Sequence, residues 1–213
     1  MNPSEVFVRI VLYFTIFAVM GYLVEAVNSL LHEGKLSNRG FLFGPYLPIY
    51  GFGALVMIGL WRNIPHDNFF LTFFVAMMIG VVLEYATSYI LEKIFHLRWW
   101  DYSKSDKFNL NGRICLRNSI IFGLGGCFFC YVLLPAINNM IKEVPNWILI
   151  VIAIVMTVVY LIDFAASSYA NMKVKNMEEF SKAIGDQTKE IKKNAKKAIK
   201  TLLGNQRKRG KRH

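Results

Sequence analysis

The fold of this chain is decided by two similar stretches, GYLVEAVNSLL (21–31) and GVVLEYATSYIL (80–91). Both read Gly, three residues, Glu, three residues, Ser, and each closes a long run of apolar residues. A helix needs about 20 apolar residues to cross the hydrocarbon core of a bilayer. The two stretches therefore predict two membrane-spanning helices, each with one glutamate inside the membrane.

Further apolar runs complete the prediction of an all-α, polytopic membrane protein with about five transmembrane helices. The predicted spans are 6–31, 41–61, 69–91, 119–137 and 147–170. The second span is interrupted early by prolines and glycines, so it either crosses fully or enters as irregular backbone, which is tolerated only where protein or a wet cavity shields it. The N-terminal residues lack the pattern of a cleavable signal, so we expect the first span to remain as an anchor.

A polar segment follows each glutamate-bearing span, and the chain then returns to the membrane. The segments are NRGFL (38–42) after the first span and NGRICL (111–116) after the third. Two hairpins of the same sense indicate a parallel repeat with a fifth helix added. Chance similarity between apolar segments is the alternative explanation.

The net charge of +11 lies almost wholly in the C-terminal tail. Residues 1–170 hold eleven Lys/Arg and ten Asp/Glu, whereas residues 171–213 hold fourteen and four. We predict a transmembrane domain over 1–170 and a basic cytoplasmic tail over 171–213. Apolar residues recur at helical spacing among the tail lysines, which predicts an amphipathic helix that binds anionic inner-leaflet lipids. From residue 181 onward no aromatic residue interleaves with the charges, so nucleic acid is not an expected partner.

The lysines and arginines also predict the orientation of the chain. They are concentrated in the loops 32–40 and 92–118 and in the tail. Cytoplasmic segments carry an excess of these residues. We therefore predict a multi-pass plasma-membrane protein with its N-terminus outside and its C-terminus in the cytoplasm.

Three acids, Glu25, Glu84 and Asp163, lie inside predicted spans. An ionisable residue in such a position is by default a candidate for function. Each lies toward the cytoplasmic end of its span, so we expect all three at one depth. A serine follows each acid by one helical turn on the same face: Ser29, Ser88 and Ser167. The pattern predicts an acidic cavity in the inner half of the bilayer; the alternative is that the acids only hold helices together.

The two cytoplasmic loops supply the remaining candidate residues. Arg39 and Arg113 are expected at the mouth of the cavity as counter-charges or anion contacts, and Asn38, Glu92 and Asp101 are secondary candidates. The prolines and glycines of NRGFLFGPYLPIYGFG (38–53) favour a rigid re-entry over a plain connecting loop. For the second loop, the alternative is an interfacial aromatic belt with snorkelling cations.

Several motifs together resemble a family of bacterial membrane proteins, the putative ABC-transporter type IV or CmpB-like proteins. They are GYLVE (21–25), NRGFLFGPYLPIYGFG (38–53), RWWDYS (98–103) and NLNGRICL (109–116). The resemblance covers roughly residues 10–170 and not the tail. It implies a multi-spanning plasma-membrane permease and supplies no catalytic residues. This sequence has no GxxxxGK[ST] phosphate loop, so an ATPase would have to be a separate subunit.

Three functions are compatible with these features. The first is a permease-like transporter subunit whose substrate the sequence does not identify. The second is an intramembrane enzyme acting on a lipid or isoprenoid, but the sequence has no HExxH or DDxxD-type cluster, so we assign no catalytic residue, metal or cofactor. The third is a non-catalytic assembly or sensing module. Because five spans enclose little volume, a homodimer is a further expectation.

Overall fold

The computed structural model describes residues 2–34, 40–65, 68–104 and 106–209, without the side chains of residues 32, 33, 178, 180–192 and 194–209. Two short antiparallel strands, β1 (Asn109–Leu110) and β2 (Ile114–Cys115), form a hairpin, and Phe129–Leu133 form a π-helical turn. The helices are α1 (Pro3–Glu33), α2 (Pro48–Trp61), α3 (Phe69–Phe95), α4 (Leu116–Phe128), α5 (Leu134–Glu143) and α6 (Asn146–Arg209). The predicted all-α architecture is confirmed.

Within the described residues, four helical stretches are long and apolar enough to cross a membrane, and α2 is a shorter apolar helix. The four stretches are Pro3–Leu31, Phe69–Phe95, Leu116–Glu143 and Asn146–Met177. Many of their large apolar side chains are exposed on the protein surface, as lipid-facing side chains are. The chain is therefore a multi-pass membrane protein. The predicted second span is helical only from Pro48 onward, because proline fits the first turn of a helix and the residues before it are irregular.

The ends of the helices follow local chemistry. Helix α1 ends where Gly34 takes a positive φ of 65° and donates its backbone N–H to the Leu30 carbonyl. Helix α3 begins at Asn68, whose side chain accepts the N–H of Leu71 at 2.9 Å. The π-helical turn ends two residues before Pro135, which lacks a backbone donor and disturbs regular α-helical pairing.

The two hairpins of the predicted repeat pack in the same way. Helix α1 packs against α2, and α3 packs against α4. In the first hairpin the ring of Tyr50 lies directly against Gly21, and in the second the ring of Phe122 lies directly against Gly80. A Cβ atom on Gly80 would approach Phe122 to 2.7 Å, so a glycine is needed for this contact.

A second glycine contact occurs in each hairpin with the roles of the helices reversed. Gly51 of α2 lies against the ring of Phe14 of α1, and Gly123 of α4 lies against the ring of Phe73 of α3. Gly51 and Gly123 directly follow Tyr50 and Phe122 in the sequence. The two pairs of contacts thus fall at matching positions in both hairpins, as a repeat requires.

The chain divides into two compact units, residues 1–168 and residues 169–213. One core cluster of the first unit includes buried residues of the first three helices, the π-helical turn and α5: Tyr13, Phe17, Ala54, Met57, Ala76, Phe129, Cys130 and Leu134. The second unit is helical through Arg209. Most side chains of the amphipathic tail lie outside the described residues, so its lipid-binding face stays a prediction.

Candidate functional site

Glu25 is paired with a tyrosine of the neighbouring helix. The Tyr50 hydroxyl donates a hydrogen bond of 2.7 Å to Oε1 of Glu25. Glu25 lies one helical turn after Gly21, against which the Tyr50 ring packs. The close contact between α1 and α2 therefore brings the phenol hydroxyl to the carboxylate.

Glu84 occupies the counterpart position in α3 and is more deeply buried, with 4% of its surface exposed. The Tyr102 hydroxyl donates to Oε1 of Glu84 at 2.8 Å, and the Asn118 amide donates to the Tyr102 oxygen at 2.7 Å. The second carboxylate oxygen, Oε2, is buried and has no hydrogen-bond partner among the described residues. Buried polar atoms are nearly always paired, so this oxygen requires an explanation.

The two glutamates lie close enough for their charges to interact, and the Tyr50 hydroxyl lies within electrostatic range of both glutamates and of Tyr102. Helices α1, α2 and α3 and the loop between α3 and α4 therefore converge on one polar cluster, which we call the glutamate pair. Burial, followed by the charge of Glu84, raises the pKa of Tyr102, so this phenol remains a hydrogen-bond donor at neutral pH.

The loop between α3 and α4 folds back because of its Asn-Gly turn. Asn111 and Gly112 both have positive φ, at 56° and 69°, as the central residues of a type I′ hairpin turn do. The Arg113 N–H closes the turn on the Leu110 carbonyl at 3.0 Å. The Gly112 carbonyl accepts the backbone N–H of Tyr102 at 2.8 Å, which fixes the segment that reaches Glu84.

The same turn directs Arg113 into the protein, where only 9% of its surface is exposed. Its guanidinium forms an ion pair of 2.7 Å with Glu92 and donates to the Ser88 hydroxyl at 3.1 Å. It also lies over the rings of Tyr85 and Tyr89, at 5.7 Å and 5.4 Å. Charge pairing and cation–π contacts together compensate the buried charge.

Exposed ion pairs continue outward from Arg113. Arg98 contacts Glu92 at 3.1 Å and Asp101 at 3.4 Å. The hydrogen bond to Glu92 raises the pKa of Arg98, and the backbone N–H of Ser103 lowers the pKa of Asp101. Because these groups face solvent, the pairs orient the loop more than they stabilise the protein. Beside them is a cavity of about 320 Å³, lined by Tyr89, Glu92, Lys93, His96 and Arg113.

Asp163 of α6 binds the irregular segment that precedes α2. Its carboxylate accepts the N–H groups of Phe43 and Gly44, at 3.0 Å and 2.9 Å, and the Tyr46 hydroxyl. Ser167, one turn later, donates to the same carboxylate at 2.8 Å. Asp163 thus accepts hydrogen bonds from two backbone N–H groups that lie outside any helix and therefore have no helical carbonyl as a partner.

The irregular segment also contacts the middle of α1. The Leu47 N–H donates to the carbonyl of Ala18 at 2.9 Å, and Ala18 is completely buried. Non-helical backbone at membrane depth must have its polar groups paired within the protein. Residues 40–47, which we call the entry segment, meet this condition through Asp163, Ser167 and Ala18.

The structure distributes the predicted site residues over three places. Glu84 interacts electrostatically with Glu25, Arg113 contacts Glu92 and Ser88, and Asp163 contacts the entry segment; Ser29 is buried in α1. Asn38 and Arg39 fall outside the described residues. A common cavity for all three acids stays a prediction. In the described parts of the chain, no group of three or more His, Cys, Asp or Glu side chains is placed to hold a metal ion.

Sequence reasoning missed the hydrogen-bond donors of the glutamate pair, Tyr50, Tyr102 and Asn118. One signal was available for Tyr50: a glycine one turn before each glutamate leaves room for an aromatic ring of the next helix. Nothing in the local sequence of Tyr102 or Asn118 indicated their contact with Glu84, because that contact depends on the folded loop.

Comparison with known proteins gives one match. The model of a family described as putative ABC-transporter type IV matches residues 12–168. The matched range contains all three intramembrane acids and the whole loop between α3 and α4, and it ends before the basic tail. No curated protein and no solved structure matches the chain.

Proposed function

Because the chain belongs to the putative ABC-transporter type IV family, we propose that it is the membrane-embedded, permease-like subunit of a transporter. This sequence contains no phosphate-binding loop of the GxxxxGK[ST] type, so ATP hydrolysis would come from a separate subunit. The long loop between α3 and α4 is a suitable docking element for such a partner.

The glutamate pair is the single observation that carries the proposal of a transport site. Glu25 and Glu84 come from counterpart positions of two hairpins, and their charges interact inside membrane-spanning helices. Transporters commonly bind substrate or coupling ion where internal repeats meet. In this proposal the two glutamates contact the transported species, while the ion pair of Arg113 and Glu92 lies at the mouth.

Asp163 has a supporting role in the same proposal. Its hydrogen bonds to Phe43 and Gly44 hold the entry segment in place, and α2, which follows this segment, carries Tyr50. A fixed entry segment keeps the Tyr50 hydroxyl at the glutamate pair. Asp163 would therefore form part of the wall of the transport path.

The orientation and the lipid contacts are proposed from the distribution of charge. We place the N-terminus outside and the basic residues 171–213 at the inner leaflet of the plasma membrane, in accord with the excess of positive residues on that side. Each lysine or arginine near an anionic surface contributes about 1 kcal/mol to binding. A homodimer would enlarge the path, and native mass spectrometry in mild detergent measures that state.

Purification of the full chain in mild detergent tests the function. We expect a soluble nucleotide-binding subunit to co-purify, and its ATPase activity to depend on the permease. Glu25→Gln and Glu84→Gln should leave the complex intact but abolish the coupling of ATPase activity to transport. Glu143→Gln, a change at an exposed glutamate, is the control and should behave like the wild type.

Two results would overturn the proposal. Recovery of the chain without any nucleotide-binding subunit would remove the ABC-type energy source. Degradation of both glutamate variants in the membrane would show that the acids only stabilise the fold.

A further inference from the structure

The two halves of the repeat differ at one position that bears on chemistry. Tyr50 donates its hydroxyl to Glu25, but the counterpart of Tyr50 in the second hairpin is Phe122, which has no hydroxyl. Glu84 therefore receives no such bond from its own hairpin. Tyr102 donates to Oε1 of Glu84 instead, and Oε2 is left without a partner.

An ionised carboxylate is costly in this position. Only 4% of the surface of Glu84 is exposed. A buried oxygen without a hydrogen bond loses its hydration and gains no protein partner in exchange. The charge of Glu25 lies within range and adds repulsion. A site of this kind is stabilised when it acquires positive charge.

In the described part of the chain, the groups that face Glu84 do not supply that charge. These groups come from the elements packed around Glu84: Glu25 of α1, Tyr50 of α2, Tyr102 of the loop, Cys115 of β2 and Asn118 of α4. None is a cation. Arg113 is the cation that contacts the same face of α3, through Ser88, and its guanidinium is engaged by Glu92.

Neither of the two cavities described in this structure is lined by the glutamate pair. The polar cavity of about 320 Å³ described above is not lined by Glu25 or Glu84. Neither is an apolar groove of about 460 Å³ between α2 and α3, which is lined by residues such as Val56, Phe74 and Leu83. An organic ammonium ion would need a cavity at the pair, whereas a proton needs none.

We propose that the glutamate pair is a proton-binding site that holds one proton, bound at Oε2 of Glu84, and that this proton is taken up and released during the ATP-driven cycle of the proposed transporter. Binding forms an O–H bond at Oε2 and removes the negative charge of Glu84; release returns the proton to water. The part that the proton plays in the transport cycle rests on the proposed function, but the binding of the proton does not.

Infrared difference spectroscopy of the purified full chain tests proton binding without transport or ATPase. The C=O stretching band of a protonated carboxylic acid is followed while the pH is varied. We expect the wild type to show such a band at neutral pH, and Glu84→Gln to lack it. Glu25→Gln should still show the band. As the pH is raised, this variant should lose the band at a lower pH than the wild type, because removal of the neighbouring negative charge weakens proton binding.

Two further variants keep the test decisive if Glu84→Gln does not fold. Tyr102→Phe removes a donor that stabilises the ionised carboxylate, so the band should persist to higher pH. Phe122→Tyr gives Glu84 the hydroxyl that Tyr50 gives Glu25. This donor stabilises the ionised carboxylate, so the band should disappear at a lower pH than in the wild type. Glu143→Gln is the matched control and should leave the titration unchanged.

The proposal is overturned if the band is absent from the wild type or unaffected by Glu25→Gln and Tyr102→Phe. A titration that shifts when Na⁺ replaces a bulky organic cation at equal ionic strength would assign the site to a metal ion and also overturn it. Absence of a nucleotide-binding subunit would leave the proton site intact, so failure of the two proposals is distinguishable.

Discussion

The Tyr50 hydroxyl donates a hydrogen bond of 2.7 Å to Oε1 of Glu25, across the contact between α2 and α1. The bond exists because the Tyr50 ring packs against Gly21, where a larger residue would collide with it. The sequence GYLVE thus contains both the acid and the space for its partner. The same geometry links a packing requirement of the hairpin to the chemistry of the glutamate pair.

Removal of this hydroxyl should weaken both the fold and the site. We expect Tyr50→Phe to lower the free energy of unfolding by about 1.5–3 kcal/mol, the range for a hydrogen bond to a charged group. Chemical denaturation in detergent, followed by far-ultraviolet circular dichroism, measures this change. Tyr169→Phe, at an exposed tyrosine, is the control. If both substitutions leave the free energy of unfolding almost unchanged, the hydrogen bond between Tyr50 and Glu25 does not stabilise the protein.

The glycine contacts of the repeat should tolerate no side chain. Gly80→Ala places a Cβ atom 2.7 Å from the Phe122 ring, so α3 and α4 must separate and the protein should lose stability. Gly53→Ala is the matched control, because its Cβ atom would meet Leu83 at an ordinary 3.5 Å. Thermal unfolding of the two variants compares them directly. Equal melting temperatures would show that the contact at Gly80 is not tight.

The turn that orders the loop between α3 and α4 should depend on Gly112. Gly112→Ala introduces a side chain at a φ of 69° and directly against the carboxylate of Asp101, at a cost of about 1 kcal/mol or more. The Trp100 indole donates to the Arg113 carbonyl at 2.9 Å, so tryptophan fluorescence should change when the turn is disturbed.

The control for this variant is Gly125→Ala in α4, where an added Cβ atom meets nothing within 4 Å. It should keep the wild-type fluorescence. If Gly112→Ala has the same fluorescence and the same stability as this control, the turn does not position Tyr102.

The backbone of the entry segment should be held less tightly when Asp163 no longer offers it two carboxylate oxygens. Asp163→Asn replaces one carboxylate oxygen with an amide donor that faces backbone N–H groups, so the amides of Phe43 and Gly44 should exchange faster with deuterium. Hydrogen–deuterium exchange of residues 40–47 measures this. Glu143→Gln should leave the exchange unchanged. Unaltered protection in Asp163→Asn would show that other contacts hold the segment.

The features that could be predicted from the sequence are those that depend on local composition. Apolar runs predicted the spans, and the prolines and glycines near Pro48 predicted irregular entry, because both depend on residues adjacent in the chain. The repeat was visible because Gly21 and Glu25 recur as Gly80 and Glu84 with the same spacing.

The partners of the acids could not be predicted in the same way. Asp163 binds the backbone of Phe43 and Gly44, more than one hundred positions away in the chain. Glu84 is reached by Tyr102 only after the Asn-Gly turn folds the loop back. Such contacts depend on tertiary packing, which a single sequence does not specify locally.

The proximity of Glu25 and Glu84 is the central claim, and cross-linking in native membranes tests it most directly. Cysteines replace both glutamates in a chain whose native cysteines, Cys115, Cys127 and Cys130, are changed to serine, and a short bifunctional thiol reagent is added. The pair Glu25→Cys with Tyr50→Cys is the positive control. We predict intramolecular cross-linking of both pairs; cross-linking of the control pair alone would contradict the account.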